Sequence, residues 1–561
     1  MMTRQSCVAR AAVATVFAMT AVLAQPNEAQ AFLDSLNPFA DTKDEFEGKF
    51  IDSLTPRAWV PPLERLEQER QASGQGGNNR LSGGKAGESD SCTEEQRKPA
   101  TADLASAPAN IPDGLALLRM TDEWVASVPA LEAYLNGIGA RLLANSPVTG
   151  VPVRYYVTAL RDFGLAKAMP DGAIGIPIAV IQESGTEDEL AFMLAHEAAH
   201  VILEHHDNDW FQGLNRKFVS AAETAVGMSA AMAQKFGNTD LNNVAVLANL
   251  AAEGLLFLTD KGLFPSFSRE QEDEADLLGL DLVMAAGYNS DEAFTSMKKL
   301  KSWANSAAEQ KAQQYAERRA EIEEKMTASA NKGDFGTAMG GLFQRLGIAA
   351  QEGTEAISGV HRDMEARIDS LFAYYEREYF ESDPGTQATS IDLVRVRKLP
   401  EVAALFSGYD SAWDALKLVD EGELGAAEVL AKKAVSGGMN ADSLARFAFF
   451  KTRLSQGHKG RAIQNLEIAL KGPRPSLEVY RQLANMYWGE GRQGESMTVL
   501  GEAFEEFGKP PPLYADLIYR NFALGQTQKA NALAIECGIK HRDMRELCLK
   551  ASQGQAPELT H

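Results

Sequence analysis

Glycines at a near-constant interval constrain how the last third of this 561-residue chain can fold. Intervals of 35, 34 and 34 residues separate Gly422, Gly457, Gly491 and Gly525. Small residues follow each glycine at the same two distances: Ala427, Ala462, Ser496 and Ala530 five residues on, and Ala434, Ala469, Ala503 and Cys537 twelve residues on. Because small side chains let paired helices approach closely, this period predicts stacked helical pairs, with an irregular helical bundle as the alternative.

A second constraint lies at residues 190–206, LAFMLAHEAAHVILEHH, which hold four of the chain's eight histidines. His196 and His200 are four residues apart, so a helix places them on one face, about 6 Å apart. The capping-box spacing of Thr186 and Glu189 predicts where this helix begins. Its buried side is predicted to comprise Leu190, Phe192, Met193, Leu194, Val201 and Ile202.

The pattern His-Glu-x-x-His on a helix is typical of metallopeptidases. Neutral imidazoles bind zinc well, so we predict that His196 and His200 are ligands of one zinc ion. A carboxylate held beside the ion can take the proton of the attacking water, which is the role we predict for Glu197. The alternative is a pair of exposed helix histidines without a metal.

His206 is a poor candidate for the third ligand. The metzincin pattern, in which a histidine follows at this distance, needs a glycine where this chain has Leu203. A helix that continues through Leu203 carries His206 about 15 Å along the axis, away from the ion. We therefore expect His205 and His206 in the last helical turn, where partial positive charge suits the carboxyl end of the helix.

A second helix, predicted within residues 266–293 and ending at Gly287, offers carboxylates instead. Glu272 and Asp276 are four residues apart and share one of its faces. A run of acids on a helix is commonly just a solvated face, so the residues alone do not choose the ligand. The open alternatives are Glu270, Glu272, Asp273 and Glu274.

Together the two segments resemble the zinc metallopeptidases that include the CAAX prenyl endopeptidases, the mitochondrial inner-membrane protease Oma and the bacterial periplasmic protease BepA. In that family the first motif is followed by Ser-Arg-x-x-Glu-x-x-Ala-Asp-x-x-Gly, matched here by Ser268, Arg269, Glu272, Ala275, Asp276 and Gly279. The resemblance implies that Glu272 is the third zinc ligand. It also implies that Asp276 orients a ligating imidazole and can assist proton transfer.

A third segment, GVHRDMEARIDSL, extends the resemblance. The family often carries His-Pro-x-x-x-x-Arg-Ile, and His361, Arg367 and Ile368 keep that spacing, with Arg362 in place of the proline. In BepA-like members this histidine can approach the zinc and gate it, which implies a gating role for His361. An arginine is suited to binding a carbonyl oxygen that becomes an oxyanion, and we predict that either His361 or Arg367 stabilises the oxyanion. The alternative for His361 is a purely structural histidine.

Alternating apolar residues predict two strands, one over residues 153–157 and one over 174–178, where Pro177 indicates an edge strand or a strand end. Between them stands LAKAMPDG, where the family has Asn-Ala-Phe-Ala-x-Pro-Gly-Gly, a segment that holds an extended substrate by strand addition. Leu165 and Lys167 replace the asparagine and phenylalanine, which affects the expected substrate preference. The predicted fold class is mainly α with a small β-sheet, followed by an all-α repeat region whose register resembles tetratricopeptide repeats.

The start of the chain indicates a secretory signal over residues 1–31. In this segment Arg4 and Arg10 precede a short apolar run from Ala11 to Ala24. No later segment is expected to span a membrane, and a net charge of −22 argues against nucleic acid as a partner. With the resemblance, this predicts a periplasmic protein. In an oxidising compartment Cys537 and Cys548 can form a disulfide, the alternative being free buried thiols; Cys92 is the other cysteine left after signal removal.

The predicted domains are an N-terminal segment and disordered linker over 32–114, a zinc metallopeptidase domain over 115–385 and a tetratricopeptide-like domain over 400–555. A charged helix is predicted over 301–335. The expected function is a secreted endopeptidase with one zinc ion per chain, whose repeats recruit protein substrates, among them outer-membrane proteins or their assembly machinery. The alternative is a repeat-based chaperone or scaffold with a latent or structural zinc domain.

Overall fold

The structure, a computed structural model, describes residues 48–54, 57–60, 113–120, 123–164, 166–206, 211–216, 267–306 and 364–555. The chain divides into two units, Met1–Ser53 and Leu54–His561. In the first unit the described part contains one short helix, α1 (Phe50–Ser53). The predicted signal segment, Cys92, His361, nearly all of the linker and most of the predicted helix over 301–335 lie outside the described residues.

The second unit contains a small mixed sheet. Its central strand β5 (Ala173–Pro177) pairs in parallel with β3 (Arg154–Thr158) and antiparallel with the edge strand β4 (Lys167–Ala168). A separate parallel pair joins β1 (Arg57–Ala58) and β2 (Val148–Thr149).

The second predicted strand is one residue too long. It ends at Pro177, as the proline indicated, but Ile178 begins helix α4 (Ile178–Glu183). Every residue from Ile174 to Ile181 is buried, so the apolar run fits a buried strand and a buried helix equally well.

Five further helices belong to the region that contains this sheet. Their bounds are α2 (Gly114–Arg119), α3 (Pro129–Leu143), α5 (Glu187–Ile202), α6 (Arg269–Ala285) and α7 (Met364–Glu378). Residues 211–216 and 291–306 are also helical. Helix α5 packs against α3 and α6, and α6 also packs against α7, so α5 occupies the centre of this region.

Helix α5 begins as predicted but is buried far more completely than predicted. The Thr186 side chain accepts a hydrogen bond from the N–H of Glu189. All sixteen residues are buried, rather than one apolar side. The acidic first turn is tolerated inside because each carboxylate is paired: Glu187 accepts from Tyr134 and Arg141, Asp188 from the N–H groups of Asn289 and Thr389, and Glu189 from Gly185 and Lys299.

The last part of the chain is a succession of antiparallel helix pairs. After α8 (Ile391–Arg397), the pairs are α9 (Pro400–Asp420) with α10 (Leu424–Ala434), α11 (Ser443–Ser455) with α12 (Lys459–Leu470), α13 (Leu477–Gly489) with α14 (Gln493–Glu506), and α15 (Pro511–Ala523) with α16 (Thr527–Lys540). Helix α17 (Arg545–Ser552) follows, and short 3₁₀ turns lie at Gly437–Met439 and Arg542–Met544.

The repeat glycines occupy the turns inside these pairs. Gly422, Gly457, Gly491 and Gly525 have φ of 80°, 79°, 76° and 72°, a left-handed conformation that glycine adopts without strain. All eight small residues at the two fixed distances are fully buried. The prediction of stacked helical pairs is therefore confirmed, and the similarity to tetratricopeptide repeats stays a prediction. Cys537 and Cys548 form a disulfide, the first of the two alternatives that the sequence left open.

The helical pairs are fastened to the region that contains the sheet. The indole Nε1 of Trp413 donates to the carbonyl oxygen of Ala159 at 2.8 Å, and the rings of Trp124 and Phe447 lie 4.8 Å apart. Arg474 binds Glu132 through two nitrogens and also donates to a backbone carbonyl. Among the described residues no helix is both long and apolar enough to cross a membrane.

Two glycines of α3 allow a matched test of this packing. Gly139 faces the ring of Tyr155, where an added Cβ would lie 2.4 Å from a ring carbon, whereas a Cβ at Gly137 meets nothing within 4 Å. The Tyr155 ring cannot move aside easily, because it is buried and its hydroxyl donates to the carbonyl of Leu194 in α5 at 2.8 Å.

We therefore predict that Gly139→Ala lowers the free energy of unfolding by about 1–3 kcal/mol through overpacking. Gly137→Ala should instead raise it by up to about 1 kcal/mol, the gain in helix propensity. Urea titrations of both variants and the parent chain measure the two effects. Equal changes in the two variants would contradict the packing described for α3.

Candidate metal centre

Two histidines face each other across one turn of α5. The Nε2 atoms of His196 and His200 are 3.2 Å apart, and both side chains are buried. The four-residue spacing places them on one face, as the sequence predicts. Their nearest nitrogens thus point into one shared space.

Helix α6 reaches this space because it crosses α5 closely. A Cβ on Gly279 would lie 3.2 Å from the backbone nitrogen of His196 and 3.3 Å from its Cα. Glycine permits that approach. The helix starts at a capping box in which Ser268 and Gln271 bond each other's backbone N–H groups. Glu272 and Asp276 are thereby carried to His196.

Three side chains converge on the shared space. Glu272 Oε2 lies 3.5 Å from His196 Nε2, and Glu272 Oε1 lies 3.8 Å from His200 Nε2. A tetrahedral zinc ion with bonds of about 2.0–2.1 Å needs donor atoms about 3.3–3.4 Å apart, so this nitrogen and carboxylate set fits zinc. In the described part of the chain, the potential ligand atoms of His196, His200 and Glu272 all lie within 4.8 Å of one another.

Of the four acids that the sequence left open, Glu272 is the one near both histidines. Glu274 instead lies 3.1 Å from His205, and Asp273 lies 3.8 Å from Arg269. Glu270 is exposed.

A second pair of charges holds His196 from its other side. Asp276 Oδ1 is 2.9 Å from His196 Nδ1. The Arg367 guanidinium donates twice to Asp276, from Nε at 2.7 Å and from Nη2 at 2.8 Å, and its Nη1 lies 3.1 Å from Glu272. Arg367 is thus bound to the two carboxylates, a pairing that the sequence did not indicate. Its predicted role at an oxyanion stays a prediction.

Burial and these pairs determine the protonation of the centre's side chains. Burial lowers the pKa of His196, but hydrogen bonds with Asp276 and Glu272 outweigh it and raise that pKa to about 10. Burial and the adjacent His196 hold the pKa of His200 well below its usual range. Burial raises the pKa of both carboxylates, but His196 and Arg367 outweigh it and hold each below its usual value. Binding a metal to His196 would therefore release a proton.

Glu197 lies beside the histidines and in contact with the edge strand. It is buried, and its carboxylate accepts a hydrogen bond from the backbone N–H of Ala168 in β4. Burial is the main cause that raises the pKa of Glu197, to about 7. A carboxylate with a pKa near neutrality can both accept and release a proton under physiological conditions.

Beyond the helix, the structure corrects the expectation for His205 and His206. Helix α5 ends at Ile202, and Glu204 turns the chain with a φ of 60°. His205 and His206 therefore lie beyond the last helical turn, and the prediction that placed them in it is wrong. The prediction that His206 is not the third ligand agrees with its absence from the cluster of potential ligands. His206 Nε2 donates to the carbonyl of Ala168 at 3.0 Å.

His205 makes the contacts that sequence reasoning missed. Its Nδ1 lies 2.8 Å from Nδ1 of His200, and its Nε2 lies 3.1 Å from Oε2 of Glu274. The available signal was the concentration of half of the chain's histidines within eleven residues. His361 lies outside the described residues, so its predicted gating role stays a prediction.

The amino-acid sequence of this chain is similar to those of known peptidases. Residues 129–386 match the profile of peptidase family M48. The beta-barrel assembly-enhancing proteases of Escherichia coli (strain K12) and Yersinia pestis are 25% and 28% identical over 172 and 173 residues, which are 31% of this chain and 33% of each relative. The metalloprotease LoiP of Escherichia coli (strain K12) is 28% identical over 181 residues, 32% of this chain and 64% of the relative. The aligned part therefore spans about a third of the assembly-enhancing proteases.

Removing one carboxylate tests whether the three donors share an ion. We predict that Glu272→Gln weakens zinc binding by more than about 100-fold, since even loss of a partner behind a ligand commonly costs 10–100-fold. The same change at exposed Glu270, Glu270→Gln, should leave zinc affinity as in the parent chain. Competition with a chelator of known affinity at fixed pH measures all three proteins. Parent-like binding by Glu272→Gln would remove Glu272 from the ligand set.

Proposed function

We propose that the chain is a zinc-dependent endopeptidase, and the match of residues 129–386 to the profile of peptidase family M48 supports this proposal. The observation that carries this proposal is the convergence of His196, His200 and Glu272. Glu197 directly follows His196 in helix α5. Two imidazoles and one carboxylate are a donor set of catalytic rather than structural zinc sites, so these three side chains would hold a zinc ion of the catalytic kind.

A zinc ion held by these three side chains would supply a Lewis acid that polarises a peptide carbonyl and makes water a better nucleophile. Glu197 is proposed as the general base that takes the proton of the attacking water and then gives it to the leaving amine. The Ala168 N–H orients the Glu197 carboxylate toward this task. Because the site is buried, charge interactions there are screened less than in water.

The charged partners behind the ligands are proposed as positioning residues. Asp276 accepts from His196 Nδ1, which leaves Nε2 directed at the metal position. Arg367 holds Asp276 and Glu272 together. The contacts of Arg367 support this positioning role more directly than a role in stabilising an oxyanion. His361 is the other residue predicted for the oxyanion.

For the substrate, we propose unfolded or misassembled envelope proteins in the periplasm, including outer-membrane barrel proteins. The support is the name of the relatives, beta-barrel assembly-enhancing protease, together with the predicted secretory signal. The helical pairs beside the peptidase region are proposed to recruit the substrate or a partner, because stacked helical pairs form extended binding surfaces.

The general-base role of Glu197 predicts a loss of rate without a loss of metal. Glu197→Gln should bind zinc as the parent chain does and hydrolyse an unfolded protein at least about 100-fold more slowly, since a positioned base typically contributes 10²–10⁴-fold. Glu270→Gln is the matched control and should retain the parent rate. A chelator should abolish hydrolysis by the parent chain, and added zinc should restore it.

Two outcomes would count against the assignment. Unchanged hydrolysis by Glu197→Gln would remove the proposed base. A parent chain that binds zinc but hydrolyses no unfolded protein would favour the chaperone or scaffold alternative.

The substrate proposal predicts a preference among unfolded proteins. A denatured outer-membrane barrel protein should be cleaved faster than the same protein folded in lipid vesicles, because an extended peptide can add to a sheet as an extra strand whereas the strands of a closed barrel are already paired with one another. It should also be cleaved faster than a denatured soluble protein of equal length. Measuring the three initial rates side by side tests this, and equal rates for the two denatured proteins would contradict the proposed barrel preference.

A further inference from the structure

His200 has two ring nitrogens with different neighbours. Its Nε2 faces His196 and Glu272 in the metal centre, and its Nδ1 lies 2.8 Å from Nδ1 of His205. Two imidazole nitrogens at that distance bond only if one carries a hydrogen and the other a lone pair. The direction of this hydrogen bond therefore determines which nitrogen of His200 is free for a metal.

Glu274 determines that direction. Its Oε2 lies 3.1 Å from Nε2 of His205. An ionised carboxylate only accepts hydrogen bonds, so Nε2 of His205 carries the hydrogen and, in the neutral ring, Nδ1 carries the lone pair. Nδ1 of His200 must then donate to it. Nε2 of His200 is left without a hydrogen, which is the form that binds a metal.

The reverse order is disfavoured by the same contacts. If His205 donated from Nδ1 as a neutral ring, its Nε2 lone pair would face the Glu274 carboxylate, and two acceptors would oppose each other. Nε2 of His200 would then carry a hydrogen pointing into the metal position.

The start of α6 holds His205 in place. The Gln271 side chain donates to the backbone carbonyl of His205 at 2.9 Å, and the Phe267 ring stacks on His200 with centroids 3.9 Å apart. His205 is only 5% exposed, so it has little room to rotate. Glu274 is two residues from Glu272 on the same helix, so α6 supplies both a candidate ligand and the carboxylate behind His200.

We propose that Glu274 and His205 form a hydrogen-bond relay that fixes the tautomer of His200 and so raises the affinity of the centre for zinc. The proposal rests on the proposed metal site and deepens it. His205 and Glu274 are positioning residues, because they act through His200. Asp276 does the same for His196 by direct contact, whereas His200 is reached through an intermediate histidine.

Zinc affinity of four single variants tests the relay. His205→Ala should weaken zinc binding about 10–100-fold, the usual cost of losing a partner behind a ligand. His205→Asn should recover part of that loss, because its amide oxygen can accept from His200 Nδ1. Glu274→Gln should weaken binding, because an amide no longer enforces the direction, and Glu270→Gln should not.

The double variant His205→Ala/Glu274→Gln isolates the coupling. If Glu274 acts through His205, Glu274→Gln should cost nothing further once His205→Ala has removed the link. A second readout is independent of zinc: in metal-free protein with ¹⁵N-labelled histidine, the NMR signals of His200 should show hydrogen on Nδ1 and none on Nε2. His205→Ala should produce a mixture of tautomers, and circular dichroism checks that each variant is folded.

The outcomes separate this proposal from the peptidase assignment. A parent chain that fails to bind zinc would overturn the proposed function, while the NMR measurement would still judge the relay. Parent-like zinc affinity in His205→Ala, equal losses in His205→Ala and His205→Asn, or hydrogen on Nε2 of metal-free His200 would each overturn the relay.

Discussion

The centre depends on how closely α6 crosses α5. At Gly279 the helices approach until a single added carbon would press on the backbone of His196. Asp276 lies about one turn and Glu272 about two turns before that crossing point, so the two carboxylates reach opposite nitrogens of one imidazole. Asp276 meets Nδ1, and Glu272 lies 3.5 Å from Nε2. A wider crossing would separate these acids from the histidine and leave buried charges unpaired, which is costly.

Two cationic and two anionic side chains give the centre a balanced charge. Protonated His196 and Arg367 offset ionised Glu272 and Asp276. A divalent ion that displaces the His196 proton would add one net positive charge to the cluster. Ionised Glu197, whose pKa burial raises to about 7 in the metal-free protein, would then restore the balance. A bound ion would therefore favour the basic form of Glu197, which is the form that a general base requires.

Short-range signals accounted for much of the fold. The cap at Thr186 and the turn glycines from Gly422 onward depend on local backbone geometry, which residue type reports directly. The spacing of His196 and His200 likewise follows from helix geometry alone.

Long-range contacts were not predictable in the same way. The end of α5 at Ile202 separates the helix from His205, whose position depends on Glu274 and Gln271 some seventy residues away. The apolar residues after Pro177 fit strand and helix alike, because burial on all sides removes the periodicity that distinguishes them. Glu272 could be chosen among neighbouring acids only by resemblance, since its partner histidines lie on another helix.

The two edges of the sheet have different surroundings, and this bears on where a substrate can bind. The β3 edge is occupied: Ala126 N–H donates to Val157, Ala159 N–H donates to Glu123, and the helical pairs fasten there through Trp413. The β4 edge lies beside Glu197 and contacts α5 through Ala168. An extended peptide that adds to this sheet would therefore meet β4 rather than β3. Because Glu197 and His206 already bond both polar groups of Ala168, such a peptide would compete with these contacts at residue 168.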